Sequence, residues 1–201
     1  MSEKSKKPMT EFGSVWNSSD PIGTHERMGN LWLSWIAWAY VLEDAEMYLS
    51  EQEKHREHKG QVIMPMLLCV CAMLLGYAIE CGLKALWVRK GNKIISNGKY
   101  RGVNGAKDHN LTQLAQAADF IPTTNEADVL QRLSRFSQFA GRYPVAKTPN
   151  EMKPKGLTKK DVGYFSKKDF RTAESILNKV MRATSGKKRR PFPRRPKKKL
   201  T

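Results

Sequence analysis

Four histidines and three cysteines are the whole stock of soft ligands in this 201-residue chain, so metal or thiol chemistry has few positions to draw on. His55 and His58 stand three apart beside Glu53 and Glu57, a spacing that shares one helix face. The order lacks the two-histidine, one-glutamate arrangement of a zinc hydrolase, and a solvated helix end is expected instead. On a helix, Cys69 and Cys71 point about 200° apart, too far round for one metal ion. With Cys81 they make an odd set without framework spacing, which suits a reducing compartment and buried, small apolar side chains. No metal and no cofactor are expected.

Phosphate chemistry has more material. Residues 92–108 place Gly98, Gly102 and Gly105 among Lys93, Lys99, Arg101 and Lys107, a flexible cationic connection seventeen residues long. It is not a P-loop: six residues separate Gly91 from Gly98, Tyr100 stands where Ser or Thr is needed, and a helix precedes it. An irregular basic loop that approaches RNA or nucleotide phosphates remains, with a solvated linker as the alternative. Arg142, followed by Tyr143 and Pro144, either bonds the last carbonyls of a helix or reaches a phosphate. At the end of the chain Lys187, Lys188, Arg189, Arg190, Arg194, Arg195 and three further lysines are interrupted by Pro191, Pro193 and Pro196. That run cannot propagate a helix and reads as a solvated electrostatic arm.

Positioning these groups falls to helices. The formal charge is +17, which favours phosphate-rich partners over cationic ones, and 40% hydrophobic residues supply one domain's core. Between Met28 and Ser50 the apolar residues Leu31, Trp35, Trp38, Leu42, Ala45 and Leu49 repeat at helical spacing, widened by Trp32, Ile36 and Ala39. A second helix runs from about Val62 to Lys90 and stops at Gly91 and Asn92. Asn110 with Gln113, Thr123 with Glu126, and Ser166 with Asp169 open three more, the last striped by Phe170, Ala173, Ile176, Leu177 and Val180. The expectation is an all-α, antiparallel up-and-down bundle of about five helices spanning 28–183. An irregular segment (1–27) precedes it and a basic disordered tail (184–201) follows. Residues 61–79 carry no charge and are long enough to span a bilayer. Pro65, Gly76 and the continuation past Glu80 and Lys84 argue instead for a buried central helix. With no secretory signal in the opening residues, a cytoplasmic protein is expected. Glu80 and Lys84, four apart on this apolar helix, are expected to pair.

In Ala78-Ile79-Glu80-Cys81-Gly82-Leu83-Lys84-Ala85-Leu86, in Asp108-His109-Asn110-Leu111 with Leu114, in Phe139-Ala140-Gly141-Arg142-Tyr143-Pro144 and in Lys168-Asp169-Phe170 with Ala173, the chain resembles the HEPN superfamily. The order of these pieces, over about 62–183, carries the resemblance. It implies an antiparallel bundle that commonly dimerises, found with nucleotidyltransferase partners, toxin–antitoxin pairs and defence systems. In that family polar residues placed like Glu80 and Lys84 line a groove facing a nucleotide or the dimer mate. Many members cut RNA without a metal, using an arginine followed four to six residues later by a histidine for charge stabilisation and proton transfer. This chain departs from that pattern: no histidine follows Arg142, and seven residues lie between Arg101 and His109. His109 is therefore expected to cap or anchor a helix, and Arg101, His109 and Arg142 stand only as candidate catalytic residues.

The expected function is binding of RNA or nucleotides through basic loops and tail, with Glu80, Lys84, Lys93, Lys99, Arg101, Lys107, Arg142, Tyr143 and the tail cations as candidate contacts. The rivals are a metal-independent endoribonuclease with an atypical site, an adaptor or dimerisation protein using the helix-one tryptophans, and a membrane-attached protein.

Overall fold

The computed structural model describes residues 20–58, 65–140 and 165–186. Among the described residues it is an all-α bundle of six helices with one small hairpin: α1 (Pro21–Gly29), α2 (Trp32–His58), α3 (Pro65–Arg89), β1 (Ile95–Ser96), β2 (Lys99–Tyr100), α4 (Leu111–Ala117), α5 (Thr124–Arg135) running on into a π turn (Phe136–Ala140), and α6 (Lys167–Ser185). Helix α3 is the axis, packed against α2, α4, α5, the π turn and α6.

The composition of α3 explains its place. Cys71, Ala72, Leu75, Ala78, Ile79, Leu83, Ala85, Leu86 and Val88 are buried and go round the helix rather than along one stripe, so it needs neighbours on every side. Each fully buried Leu or Ile contributes about 1.5–3 kcal/mol. Glycines let the neighbours close in. A Cβ on Gly76 would lie 2.3 Å from Ser137 Oγ, and one on Gly82 2.9 Å from Val180 Cγ1. The π turn leaves the Ser137 carbonyl to accept from Tyr77 Oη at 2.9 Å. Leu67–Arg89 is the one stretch among the described residues long and apolar enough to cross a membrane, and 56% of its most apolar window is buried by the bundle.

The helix starts follow local rules. Asn110 accepts from Gln113 N, and Thr123–Glu126 and Ser166–Asp169 each close a reciprocal capping box.

Three expectations change. The irregular segment through residue 27 contains α1, started by Asp20 accepting from Gly23 N and by Pro21 in the first turn. On α2 the buried face is Ile36, Ala39, Glu43 and Glu46, while Trp38 is 60% exposed with Val41 and Tyr48 beside it on the solvent side. Trp32, Trp35 and Leu42 of the expected stripe pack partly buried against the core beside Ile36 and Ala39, so it is the Trp38 side of the stripe that turns outward. Finally, the connection 92–108 is organised. Asn97 (φ 53°) and Gly98 (φ 66°) form a left-handed two-residue turn that pairs Ile95 with Tyr100 and Ser96 with Lys99. Asn30, in the corner between α1 and α2, clamps it: its Oδ1 accepts from Ile94 N and Ile95 N, and its Nδ2 donates to Ile95 O at 2.7 Å. Gly98 N donates to Glu26 Oε1 at 2.6 Å.

Candidate functional site

Charged groups of α3 and of the loop before α4 meet the hydroxyl of Tyr100 from the hairpin. Glu80 and Lys84, 4% and 5% exposed, form the expected i, i+4 pair at 2.7 Å. The ammonium also reaches Asp108 Oδ1 at 3.0 Å, and Asp108 accepts from Tyr100 Oη at 2.8 Å. The second Glu80 oxygen lies 2.8 Å from His109 Nδ1. Lys84 Nζ sits between two aromatic faces, 5.1 Å from the Trp35 ring centre and 5.4 Å from that of Tyr100. The His109 ring packs at 5.4 Å on Tyr77.

The electrostatics follow from this mutual satisfaction. Burial alone would raise the Glu80 carboxyl, but the His109 hydrogen bond and the Lys84 ammonium outweigh it and hold it below the usual carboxylate range. Burial alone would lower the Lys84 ammonium, and the Glu80 carboxylate outweighs that, keeping it charged well above the usual lysine range. Asp108 is held down against its burial by Lys84 and Tyr100. Burial, with Asp108 as hydrogen-bond acceptor, raises the Tyr100 phenol. Cys81 is pushed up to about 12 by burial and by the neighbouring Glu80, so it is an inert thiol rather than a nucleophile.

His109 is partly open to solvent, its side chain 32% exposed beside 41% for Asp108. The helix cap is the next residue, Asn110; His109 anchors the turn before it, at φ 64°, a left-handed conformation that costs a residue bearing a Cβ. With Nδ1 engaged by a buried carboxylate, the imidazole has a fixed orientation, the arrangement by which a carboxylate steers a histidine in proton transfer.

The candidate binding residues separate into two groups. Glu80 and Lys84 are enclosed and satisfied by Asp108, His109 and each other, so neither presents a charge to an external phosphate; their role is corrected to holding Tyr100, Asp108 and His109 in place. Lys93, Lys99, Arg101 and Lys107 are exposed, and none of their side chains hydrogen-bonds or ion-pairs with a described residue. Lys93 precedes the clamped hairpin, Lys99 lies on it, and Arg101 and Lys107 lie in the loop after it. Arg142, Tyr143 and the tail cations Lys187, Lys188, Arg189, Arg190, Arg194 and Arg195 lie outside the described residues, as do the side chains of His55 and His58. No cluster of three or more metal-ligating side chains occurs among the described residues.

Sequence reasoning missed Asp108 and Tyr100 as members of the charged cluster. The signal for Tyr100 was the Asn97-Gly98 turn, which places it opposite Ile95 with its ring near Lys84 of α3. It also missed an apolar cavity of about 490 Å³ between α1, the start of α2 and the hairpin, walled by Trp35, Trp38, Tyr100, Met28 and Ile95. Compared with known proteins, the chain matches no family model, no curated protein and no solved structure.

Proposed function

We propose that this protein is a cytoplasmic RNA- or nucleotide-binding helical bundle of the HEPN type that grips phosphates electrostatically. The observation that carries the reading is the set of four exposed cations, Lys93, Lys99, Arg101 and Lys107, without a carboxylate partner among the described residues, on and around a hairpin clamped by Asn30 and Glu26. A solvated surface usually pairs some of its charges, whereas an unpaired cationic edge attracts phosphate and releases its counterions. The HEPN assignment is supported by the meeting of two of the motif pieces on which the resemblance rests, Glu80 with Lys84 and Asp108 with His109.

Retention of single-stranded RNA by the purified full chain is expected to weaken steeply with salt. Changing all four cations to Glu is expected to reduce the slope of log K against log salt by about 3, near 0.7 for each phosphate that is no longer neutralised. RNA retention that ignores salt, or a four-Glu variant with the parental slope, overturns the reading.

A second reading rests on the Glu80–His109 contact at 2.8 Å. Catalysis by His109 lacked preorganisation while residues 92–108 read as a flexible loop; a histidine steered by a buried carboxylate at the rim of a cationic hairpin supplies part of it. In this reading His109 Nε2 takes the 2′-hydroxyl proton as that oxygen attacks the adjacent phosphorus, Arg101 offsets phosphorane charge, and the bond to the 5′-oxygen breaks, that oxygen taking a proton from water and leaving a 2′,3′-cyclic phosphate. Incubation of RNA in chelator with the parent and with His109→Ala distinguishes the two: cleavage abolished by the substitution supports the enzyme, and cleavage absent from both overturns it.

A further inference from the structure

The cavity between α1, α2 and the hairpin has a composition unlike the rest of the surface. Three aromatic side chains, Trp35, Trp38 and Tyr100, converge on it, with Met28 and Ile95 completing an apolar wall. At about 490 Å³ it falls in the range of small-ligand sites. Trp35 is fixed by its indole N–H donating to Gly29 O at 2.8 Å, and Tyr100 by its hydroxyl donating to Asp108, so two of the three rings are preorganised. The third, Trp38, stands at the rim and is largely exposed. Ser34 also lines the cavity; it is 8% exposed, and its hydroxyl has no hydrogen-bond partner among the described residues. A buried hydroxyl left in that state is unfavourable, and a ligand carrying a donor or acceptor would relieve it after a rotation about one side-chain bond.

Flat rings that stack, one polar group to read an edge, and cations alongside are what a nucleobase with an attached phosphate requires. Tyr100 supplies the join. It lines the cavity while its chain neighbours Lys99 and Arg101 belong to the exposed positive edge, so a base stacked on Tyr100 and Trp38 would leave its phosphate near that edge.

We propose that this cavity is a nucleobase pocket, taking the base of a free nucleotide or of an unpaired residue of RNA, with Trp38 and Tyr100 as its stacking faces and Ser34 as its edge-reading group. The inference deepens the phosphate-binding reading, on which its biological ligand rests, but the pocket itself is tested without phosphate.

Adenosine, guanosine, cytidine and uridine, all uncharged, are titrated into the full chain while tryptophan fluorescence is followed. Saturable quenching by at least one nucleoside is expected, its midpoint unmoved between about 50 and about 500 mM salt because no counterion is released. Trp38→Ala, a change at an exposed rim position, is expected to weaken binding about tenfold or more, in line with the loss of one stacking face. Ser34→Ala is expected to weaken one nucleoside more than the others, because it removes a group that reads an edge. Equilibrium dialysis of radiolabelled nucleoside checks the result without relying on the removed fluorophore. Absence of saturable binding for all four nucleosides, or parental affinity in Trp38→Ala, overturns the pocket. Salt-sensitive RNA retention without nucleoside binding overturns the pocket alone, whereas nucleoside binding without salt-sensitive RNA retention supports the pocket and overturns only the electrostatic reading. Free nucleoside monophosphate and a short unpaired oligonucleotide, compared at equal base concentration, separate the two sources of the base.

Discussion

Two clusters of charge hold this bundle together, and they are built on opposite principles. At the start of α6, Arg132 donates to both Asp169 oxygens at 2.8 and 2.9 Å and to Asp128, while Asp169 closes the capping box of its own helix. Nearby, Glu126 caps α5 and accepts from Lys179 at 2.6 Å. Each carboxylate there except Asp128 serves a helix terminus, and structure accounts for all of them. Beside α3, Glu80, Lys84, Asp108 and His109 cap nothing. Two of them are removed from water at a desolvation cost that well-packed apolar residues would avoid, and one of the two partly exposed members is a histidine in a left-handed turn. The first cluster adds stability; the second fixes the geometry of Tyr100 and His109 at the surface.

The difference can be broken most sharply at Glu80. Glu80→Ala leaves the buried Lys84 ammonium with Asp108 as its remaining carboxylate partner and removes the anchor of His109, and is expected to cost about 3 kcal/mol in urea unfolding. The double change Glu80→Leu with Lys84→Met is expected to recover most of that loss while abolishing binding or cleavage that depends on Tyr100 or His109. If the single change costs under about 1 kcal/mol, solvent already reaches the pair and the cluster is no buried fixture.

The Asp169 cluster should respond less and in a different way. Asp169→Ala removes a cap and a two-pronged guanidinium interaction, expected to cost about 2–3 kcal/mol without altering RNA affinity. The Arg132 hydrogen bonds, working against burial, lower the Asp169 carboxyl to about 2. A folded-state value below the unfolded one means stability that is full above the ordinary carboxylate range and is lost as pH falls toward about 2. Unfolding free energy measured at successive pH values is therefore expected to drop between about 4 and about 2 in the parent, and to drop less in Asp169→Ala.

How far each cluster could be read from the sequence follows the same division. The capping boxes at Thr123 and Ser166 join residues three apart, and the Glu80–Lys84 pair joins residues four apart on one helix, so local rules reach them. The contacts of Glu80 with His109, and of Lys84 with Asp108 and Tyr100, cross between elements, and nothing in spacing or composition specifies which elements meet. The hairpin carried a local sign in Asn97-Gly98, but strands of two residues are too short to show alternation. Helix α1 carried one in Asp20-Pro21, yet nine residues scarcely fill an apolar face. On α2 the expected stripe reached the core with Trp32, Trp35, Ile36, Ala39 and Leu42, but spacing gave no sign that Trp38 lies outside it or that Glu43 and Glu46 lie within. Aromatic residues read as core by type; here one of them forms the rim of a cavity.

The smallest expected effect isolates the backbone at His109. His109→Ala and His109→Gly remove the ring, its packing on Tyr77 and its bond to Glu80 alike, so the difference between them reports only the cost of φ 64°. Lys107 N donates to Gln113 Oε1, Asn110 N donates to Lys107 O, and Asn110 caps Gln113 N, which together fix the turn on both sides of the residue. Glycine is free in that region and alanine is not, so His109→Gly is expected to be about 1 kcal/mol more stable than His109→Ala. At an exposed position inside α6, Arg171, the same exchange should reverse sign, with glycine about 1 kcal/mol less stable than alanine. Equal stability of the two His109 variants in urea unfolding would show the turn relaxing once the ring is gone, and the left-handed conformation would then be a consequence of the Glu80 bond rather than a feature the surrounding chain imposes.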